Sequence, residues 1–218
     1  RSHNAEVRVT ALVALALAKA ETTGTDVGRW MDMCAGPGGK AALLAGLAAG
    51  RAASLLAVER QQHRTKLVRD ALVGTPGDWA AVTADAIKSG WVDGGFDRVL
   101  ADVPCTGLGA LRRRPEARWR RRPSDLATLA PLQRGLLHAA IKAARPGGLV
   151  GYVACSPHLA ETKVIVGDVL RARDDVEQID ARPFVEGVPE LGDGPHVQLW
   201  PHRHGTDAMF MALLRRTA

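Results

Sequence analysis

At 218 residues and 46% hydrophobic content, the chain can bury one sizeable core and is too apolar to be disordered. Its longest apolar stretch near the start, Ala11 to Ala18, is far short of a membrane span and precedes no secretory cleavage pattern, so a soluble, cytoplasmic protein without a membrane partner is expected. The net charge is +6, and the three cysteines, at positions 34, 105 and 155, lack Cys-x-x-Cys spacing, which argues against a disulfide framework or a cysteine zinc site.

The opening residues read as a helix from about Val7 to Ala20, within a lead-in over 1–28. A strand is expected over Arg29 to Met33, then a helix from about Gly39 to Ala49 with leucines at 43, 44 and 47. Ser54 to Val58 is a second strand, ending at Glu59, with a helix through Leu72 behind it. Ala80 to Thr83 is a third, before Asp85, and Phe96 to Ala101 a fourth. Ser124 is placed as the N-cap of a helix running to about Ala144, where Arg145-Pro146-Gly147-Gly148 stops it. Leu149 to Ala154 gives a fifth strand, and a helix from about Ala160 to Arg171 follows. This alternation predicts an α/β fold over 29–218, with a parallel sheet covered on both faces. The end differs: Val176 to Ile179, Val197 to Trp200 and Met209 to Leu214 are strand-like without long helices between them, and read as an antiparallel edge.

In an open parallel sheet, ligands collect beyond the carboxyl ends of the strands. Three such junctions carry chemistry here: the glycine-rich run Cys34-Ala35-Gly36-Pro37-Gly38-Gly39-Lys40, and the two thiols Cys105 and Cys155. The run fails as a phosphate-binding Walker loop, because Cys34 and Ala41 stand where glycine and Ser or Thr are required. As a dinucleotide fingerprint it is weak, with Ala41 at the third position. A methyl-donor site needs a carboxylate after the next strand, and Glu59 stands there, followed by Asp85 and Asp102 after the third and fourth strands. Clustered acids suit a nucleoside joined to an amino acid better than a pyrophosphate. Turn chemistry and helix capping account for the same glycines and acids more blandly, and small buried residues at strand ends account for the cysteines.

Residues 111–123 hold seven arginines against one glutamate, a local excess equal to the net charge of the whole chain. Arg112, Arg113, Arg114, Arg118 and Trp119 are therefore candidates for a phosphate backbone and a stacked base, with a solvated charge run as the alternative. His202 and His204 form a His-x-His pair without an accompanying cysteine or carboxylate, so no metal is expected.

Asp32 to Lys40, Asp102-Val103-Pro104-Cys105-Thr106-Gly107-Leu108-Gly109, Tyr152-Val153-Ala154-Cys155-Ser156, the segment from Leu111 to Trp119, and the tail from Leu199 to Phe210 resemble, in this order, the motifs of the RsmB/Sun/Fmu-type RNA (cytosine-5) methyltransferases. The resemblance covers about residues 29 to 216. It implies a class I, Rossmann-like fold with a mostly parallel seven-stranded sheet, an antiparallel edge hairpin and helices on both faces, making 29–218 a methyltransferase catalytic domain. It further implies S-adenosylmethionine as cofactor and RNA, most readily ribosomal RNA, as partner. Carried over residue by residue, it gives Cys34 through Lys40, Glu59 (ribose), Asp85 (adenine) and Asp102 as donor contacts. Cys155 becomes the nucleophile that adds to cytosine C6, and Cys105 the thiol that helps release the product, with Asp102 at the reacting base. DNA cytosine-5 enzymes use the Pro-Cys cysteine as nucleophile, so the pair of cysteines favours RNA. A nucleophilic Cys155 is expected to be assisted toward its thiolate by a local positive field or by hydrogen bonds. The chain departs from the family at Val103 and Ala154, where alanine and threonine are usual. It also lacks a Gln-Asp stretch before the first strand, where Glu6-Val7-Arg8-Val9-Thr10 stands, and an N-terminal RNA-binding domain, as a fragment or truncated relative would. Two alternatives stay open: a catalytically impaired RNA-binding ribosome-assembly factor on the same fold, and a methyltransferase for a protein or small molecule.

Overall fold

The computed structural model describes residues 2–88 and 90–218, with side chains from residue 11 onward; Arg1 of the lead-in lies outside the described residues. Helix α1 (Ser2–Lys19) leads into a repeating unit of strand and helix: β1 (Arg29–Asp32), α2 (Gly39–Ala49), β2 (Ser54–Glu59), α3 (Gln62–Leu72), β3 (Trp79–Thr83) and β4 (Phe96–Asp102). A one-turn helix α4 (Ala117–Arg120) and the long α5 (Asp125–Ala143) precede β5 (Ala144–Ala154). Then come α6 (Lys163–Arg171), β6 (Val176–Ile179), β7 (Val197–Gln198), the short α7 (Pro201–His204) and β8 (Phe210–Arg216).

The sheet runs β3-β2-β1-β4-β5-β8-β6, with the two-residue β7 pairing β8 beside β6. Strands β1 to β5 are mutually parallel and β8 runs antiparallel to β5. The seven-stranded path is thus the expected one. The predicted strand at 197–200 keeps its pairing through Leu199, which exchanges backbone bonds with Met209, and ends where the Trp200 N–H turns to the His204 ring as Pro201 opens α7.

Alternate residues of each strand feed opposite cores, as a sheet buried on both faces requires. Trp30, Leu55, Leu100 and Val153 join Leu17, Leu44 and Leu72 under α1, α2 and α3. Met31, Val58, Val99 and Tyr152 pack with Leu137, Ile141 and Val166 of α5 and α6. Helix α1 is bound to the first of these layers: Arg98 of β4 donates from Nε to the Leu17 carbonyl (3.1 Å) and from its terminal nitrogen to that of Ala20 (2.9 Å), and lies 5.0 Å from the Trp30 ring. It thereby satisfies carbonyls left open at the helix C-terminus.

Two boundaries carry detail that the sequence does not show. Ser124 is the N-cap residue of α5 as expected but makes no side-chain cap bond, while the carboxylate of Asp125 accepts from the Arg122 N–H (3.2 Å). The Arg145-Pro146-Gly147-Gly148 turn stops α5 at Ala143 as read, yet it lies inside β5 as an irregularity: Phe96 pairs Ala144, and Arg98 already pairs Leu149. Gly147 takes a φ of +77°, and a side chain there would strike Thr23, so the bulge depends on glycine.

Candidate active site

The carboxyl ends of the parallel strands meet on one edge of the sheet. Asp32, Glu59 and Asp102 are the last residues of β1, β2 and β4, and Cys155 follows β5. A cavity of about 370 Å³ opens there, lined among others by Cys34, Gly36, Glu59, Asp85, Asp102, Cys105, Arg114 and Cys155. Topology therefore brings both thiols and the three predicted carboxylates to one place.

The glycine loop is built around Glu59, which is 5% exposed. Its carboxylate accepts from the N–H of Gly36 (3.2 Å) and of Gln61 (2.9 Å), while Arg64 stands 3.4 Å away and donates to the Gly36 carbonyl (2.8 Å). A Cβ on Gly36 would collide with Glu59 and Arg64, and Gly38, at φ +117°, packs against Ala71 of α3. The glycines thus let the loop close down on β2 and α3. The Ala35 N–H donates to the Val58 carbonyl (2.9 Å), Pro37 sits exposed at the turn, and Gly39 opens α2. Lys40 reaches across the loop to Asp102 (2.8 Å). Burial works against its charge, but Asp102 and Asp32 outweigh this and raise its pKa.

Asp32, unassigned by the sequence reading, is fully buried. One oxygen accepts from the Cys34 N–H (3.3 Å), and the other has no partner in the structure. Burial, reinforced by the charge of Asp102, pushes its carboxyl up to about 7.

The thiols do not sit in the expected positive field. Burial, then Cys105, Asp207 and Asp102, raise the Cys155 thiol far above its ordinary range, against the opposing charge of Arg113. Burial likewise pushes Cys105 up to about 12, against hydrogen bonds from the backbone of Gly107 and Cys155. Cys34 follows the same direction for the same leading reason.

The arginine segment divides. Arg113 donates three hydrogen bonds of 2.6–3.0 Å to Asp207, whose carboxylate lies 4.0 Å from the Cys155 sulfur. Arg112 donates to the Gly205 carbonyl. Arg113 is thus engaged within the fold, and Arg112, although bonded to that turn, stays exposed. Arg114 borders the cavity, whereas Trp119 is 82% exposed with Arg118 stacked at 5.1 Å. His204 accepts from the Trp200 N–H (2.8 Å) and bonds the Pro189 carbonyl (2.9 Å), a turn-holding role. Among the described residues no group of three or more His, Cys, Asp or Glu could hold a metal, and no helix is long and apolar enough to cross a membrane.

Besides Asp32, sequence reasoning missed Glu161 and Asp207. Glu161 reads as an ordinary acid at a helix start. Asp207 stands within the tail motif, but its partner Arg113 is 94 residues away in sequence.

The 3-2-1-4-5 order of parallel strands with an antiparallel strand beside β5, and a glycine loop closed on a carboxylate at the end of β2, define the class I S-adenosylmethionine-dependent methyltransferases. Residues 15–215 match the family described as 16S rRNA methyltransferase RsmB/F, and the chain belongs to that family. A Mycobacterium tuberculosis protein named as a methyltransferase is 60% identical over 206 residues, covering 94% of this chain and 44% of the relative. Ribosomal RNA small subunit methyltransferase B of Erwinia tasmaniensis is 32% identical over 186 residues, covering 84% of this chain and 41% of that one. The chain thus spans less than half the length of these relatives. NSun6 from Pyrococcus horikoshii, solved with the S-adenosylmethionine analogue SFG, superposes with a TM-score of 0.79 at 26% identity, covering 96% of this chain and 52% of that one.

Proposed function

We propose that this chain methylates C5 of cytosine in RNA, with small-subunit ribosomal RNA as the substrate. The observation that carries the reading is the convergence of Cys105, Cys155, Asp102, Glu59 and Asp85 on one cavity. Glu59 keeps acceptor capacity for two ribose hydroxyls, because each carboxylate oxygen can accept twice and Gly36 and Gln61 take one position each. Asp85, beyond β3, lies on the adenine side. S-adenosylmethionine, when bound, supplies an electrophilic methyl group.

Cytosine C5 is a poor nucleophile until the ring is made electron-rich. The Cys155 thiol gives its proton through Asp102 to N3 of the ring as its sulfur bonds to C6, the C5=C6 electron pair moves onto C5, and C5 takes the methyl group. Asp102, held by Lys40, hydrogen-bonds the base and steadies the adduct. C5 then loses its proton to water, the S–C6 bond breaks with its electron pair returning to sulfur while the Cys105 thiol hydrogen-bonds the departing sulfur, the double bond returns, and the N3 proton goes back to Cys155. The target base must leave its stack to reach Cys155. Exposed Arg118 and Trp119, with Arg114 at the rim, form the RNA-facing surface.

The test is transfer of labelled methyl from S-adenosylmethionine to transcribed small-subunit ribosomal RNA, with the product base identified by mass spectrometry of nucleosides. 5-Methylcytidine that disappears in Cys155→Ala is expected. Donor binding without transfer would leave the assembly-factor alternative, and methylation of another base would overturn the two-thiol chemistry.

A further inference from the structure

Glu161 lies six residues past Cys155, is fully buried, and lines no part of the cavity. Its carboxylate nonetheless reaches both thiol-bearing loops. One oxygen accepts from the Thr106 N–H (2.7 Å) and from Gln133 Nε2 (3.1 Å). The other accepts from the hydroxyls of Thr106 (2.5 Å) and Ser156 (2.6 Å). Thr106 directly follows Cys105, and Ser156 directly follows Cys155. Gln133, from α5, also donates to the carbonyl of Pro104, just before Cys105 (2.9 Å). The Tyr152 hydroxyl, from β5, fixes the Glu161 backbone carbonyl (2.7 Å).

All four donors to the carboxylate are neutral groups. Burying a carboxylate is costly, and a well-packed apolar side chain would fill the same space more cheaply. An apolar side chain could not join donors from three separate segments. Loop 103–109 also meets the end of β5 and the turn after it through the Val103 and Gly109 N–H groups, which donate to the carbonyls of Val153 and Cys155 (both 3.0 Å), and through the Cys155 backbone, which hydrogen-bonds the Cys105 thiol. The carboxylate adds side-chain bonds to both loops beyond these backbone contacts.

We infer that Glu161 is a positioning residue that fixes Cys105 against Cys155, so that product release can follow methyl transfer in one site. The inference rests on the two-cysteine reading above. It assigns different consequences to the two arms of the clamp. Losing the Thr106 hydroxyl loosens the releasing thiol, and losing the Ser156 hydroxyl loosens the attacking one.

The experiment compares Glu161→Ala, Glu161→Gln, Thr106→Val, Ser156→Ala and the control Cys105→Ala on transcribed small-subunit ribosomal RNA. It measures turnover, donor affinity by calorimetry, and protein–RNA complex that survives denaturing gels. Glu161→Ala is expected to lose about tenfold or more in turnover, the scale of a small misplacement of reacting groups, with donor affinity at the wild-type value. Glu161→Gln should retain most activity, since its amide oxygen still accepts from Thr106 N–H and Gln133 while its NH₂ donates to both hydroxyls. Thr106→Val should accumulate covalent complex, as Cys105→Ala does, whereas Ser156→Ala should slow formation of the complex. Should Glu161→Ala not fold, the contrast between Thr106→Val and Ser156→Ala decides. Trapping in Cys105→Ala with normal turnover in Thr106→Val and Glu161→Ala overturns the positioning role alone. No trapping in Cys105→Ala overturns the two-cysteine reading, and the inference with it.

Discussion

Arg113→Ala separates the two jobs that sequence composition assigns to the arginine segment. Arg113 and Asp207 have side chains only 16% and 4% exposed, so removing the guanidinium leaves a carboxylate inside the protein with its main partner gone. Breaking a buried pair in this way costs roughly 3–5 kcal/mol. At about 2–4 °C per kcal/mol for a domain of this size, the melting temperature should fall by about 6–20 °C in calorimetry. Arg113→Ala/Asp207→Ala should recover most of that loss, because neither charge is then stranded. The Cys155 thiol should respond as well: Arg113 lowers its pKa and Asp207 raises it, so the single variant should be alkylated by iodoacetamide more slowly than wild type at pH 8. Arg118→Ala, by contrast, touches an exposed side chain and should change stability by less than about 0.5 kcal/mol. A melting temperature in Arg113→Ala equal to that of Arg118→Ala, or a double variant no more stable than the single, would refute the pair as a structural anchor.

Cys155→Ala should abolish methyl transfer with donor affinity intact, while Cys105→Ala should form a covalent RNA complex that survives denaturing electrophoresis; trapping in Cys155→Ala would reverse the assignment. Glu59→Ala should weaken donor binding by roughly 1.5–3 kcal/mol, about 10- to 150-fold in Kd, as measured by calorimetry. Replacing exposed Arg118, Arg120, Arg121 and Arg122 with alanine should flatten the slope of log RNA affinity against log salt by up to about 3 units, since each phosphate contact to a single strand contributes about −0.7; an unchanged slope removes the segment from the interface. Asp32 carries a folded pKa of about 7, above its ordinary value of 3.8, so the folded state holds its proton more tightly and stability is lost as pH rises through that window. Asp32→Asn cannot ionise, and its melting temperature relative to wild type should therefore be higher at pH 8 than at pH 4.

The sheet was legible because its signals are local. Strands β1, β2, β4 and β5 are apolar runs ended by Asp32, Glu59, Asp102 and Cys155, and in a parallel sheet the end of a run is also its place at the ligand edge. The glycine loop was legible for a related reason, since Gly36 and Gly38 answer steric demands that show in the sequence as glycine itself. What escaped was set by contacts across the chain. Glu161 takes its donors from Thr106, 55 residues earlier, and from Gln133, 28 residues earlier. No periodicity announces such a clamp. The raised Cys155 thiol escaped for the same reason: burial, and then Asp207 and Asp102, set its environment, and the fold rather than the motif brings these about.

The arginine segment shows why charge density alone misplaces an interface. Seven arginines in thirteen residues look equivalent in the sequence, yet their bonding partners distinguish them. At Gly109 the backbone is clasped from both sides: its N–H donates to the Cys155 carbonyl (3.0 Å), and its carbonyl accepts from the Ala208 N–H (2.9 Å). A Cβ on Gly109 would collide with both strands of this clasp. The residues just beyond it, Arg112 and Arg113, are consequently held over the Gly205–Ala208 turn and satisfy its carbonyl and carboxylate. Past Pro115, Arg118, Trp119, Arg120, Arg121 and Arg122 are exposed and are not bonded to this turn. The outer arginines therefore connect to the Cys155 loop through the inner ones, and truncating the whole run would confound RNA affinity with the integrity of the thiol site. Single substitutions on either side of Pro115 keep the two effects apart.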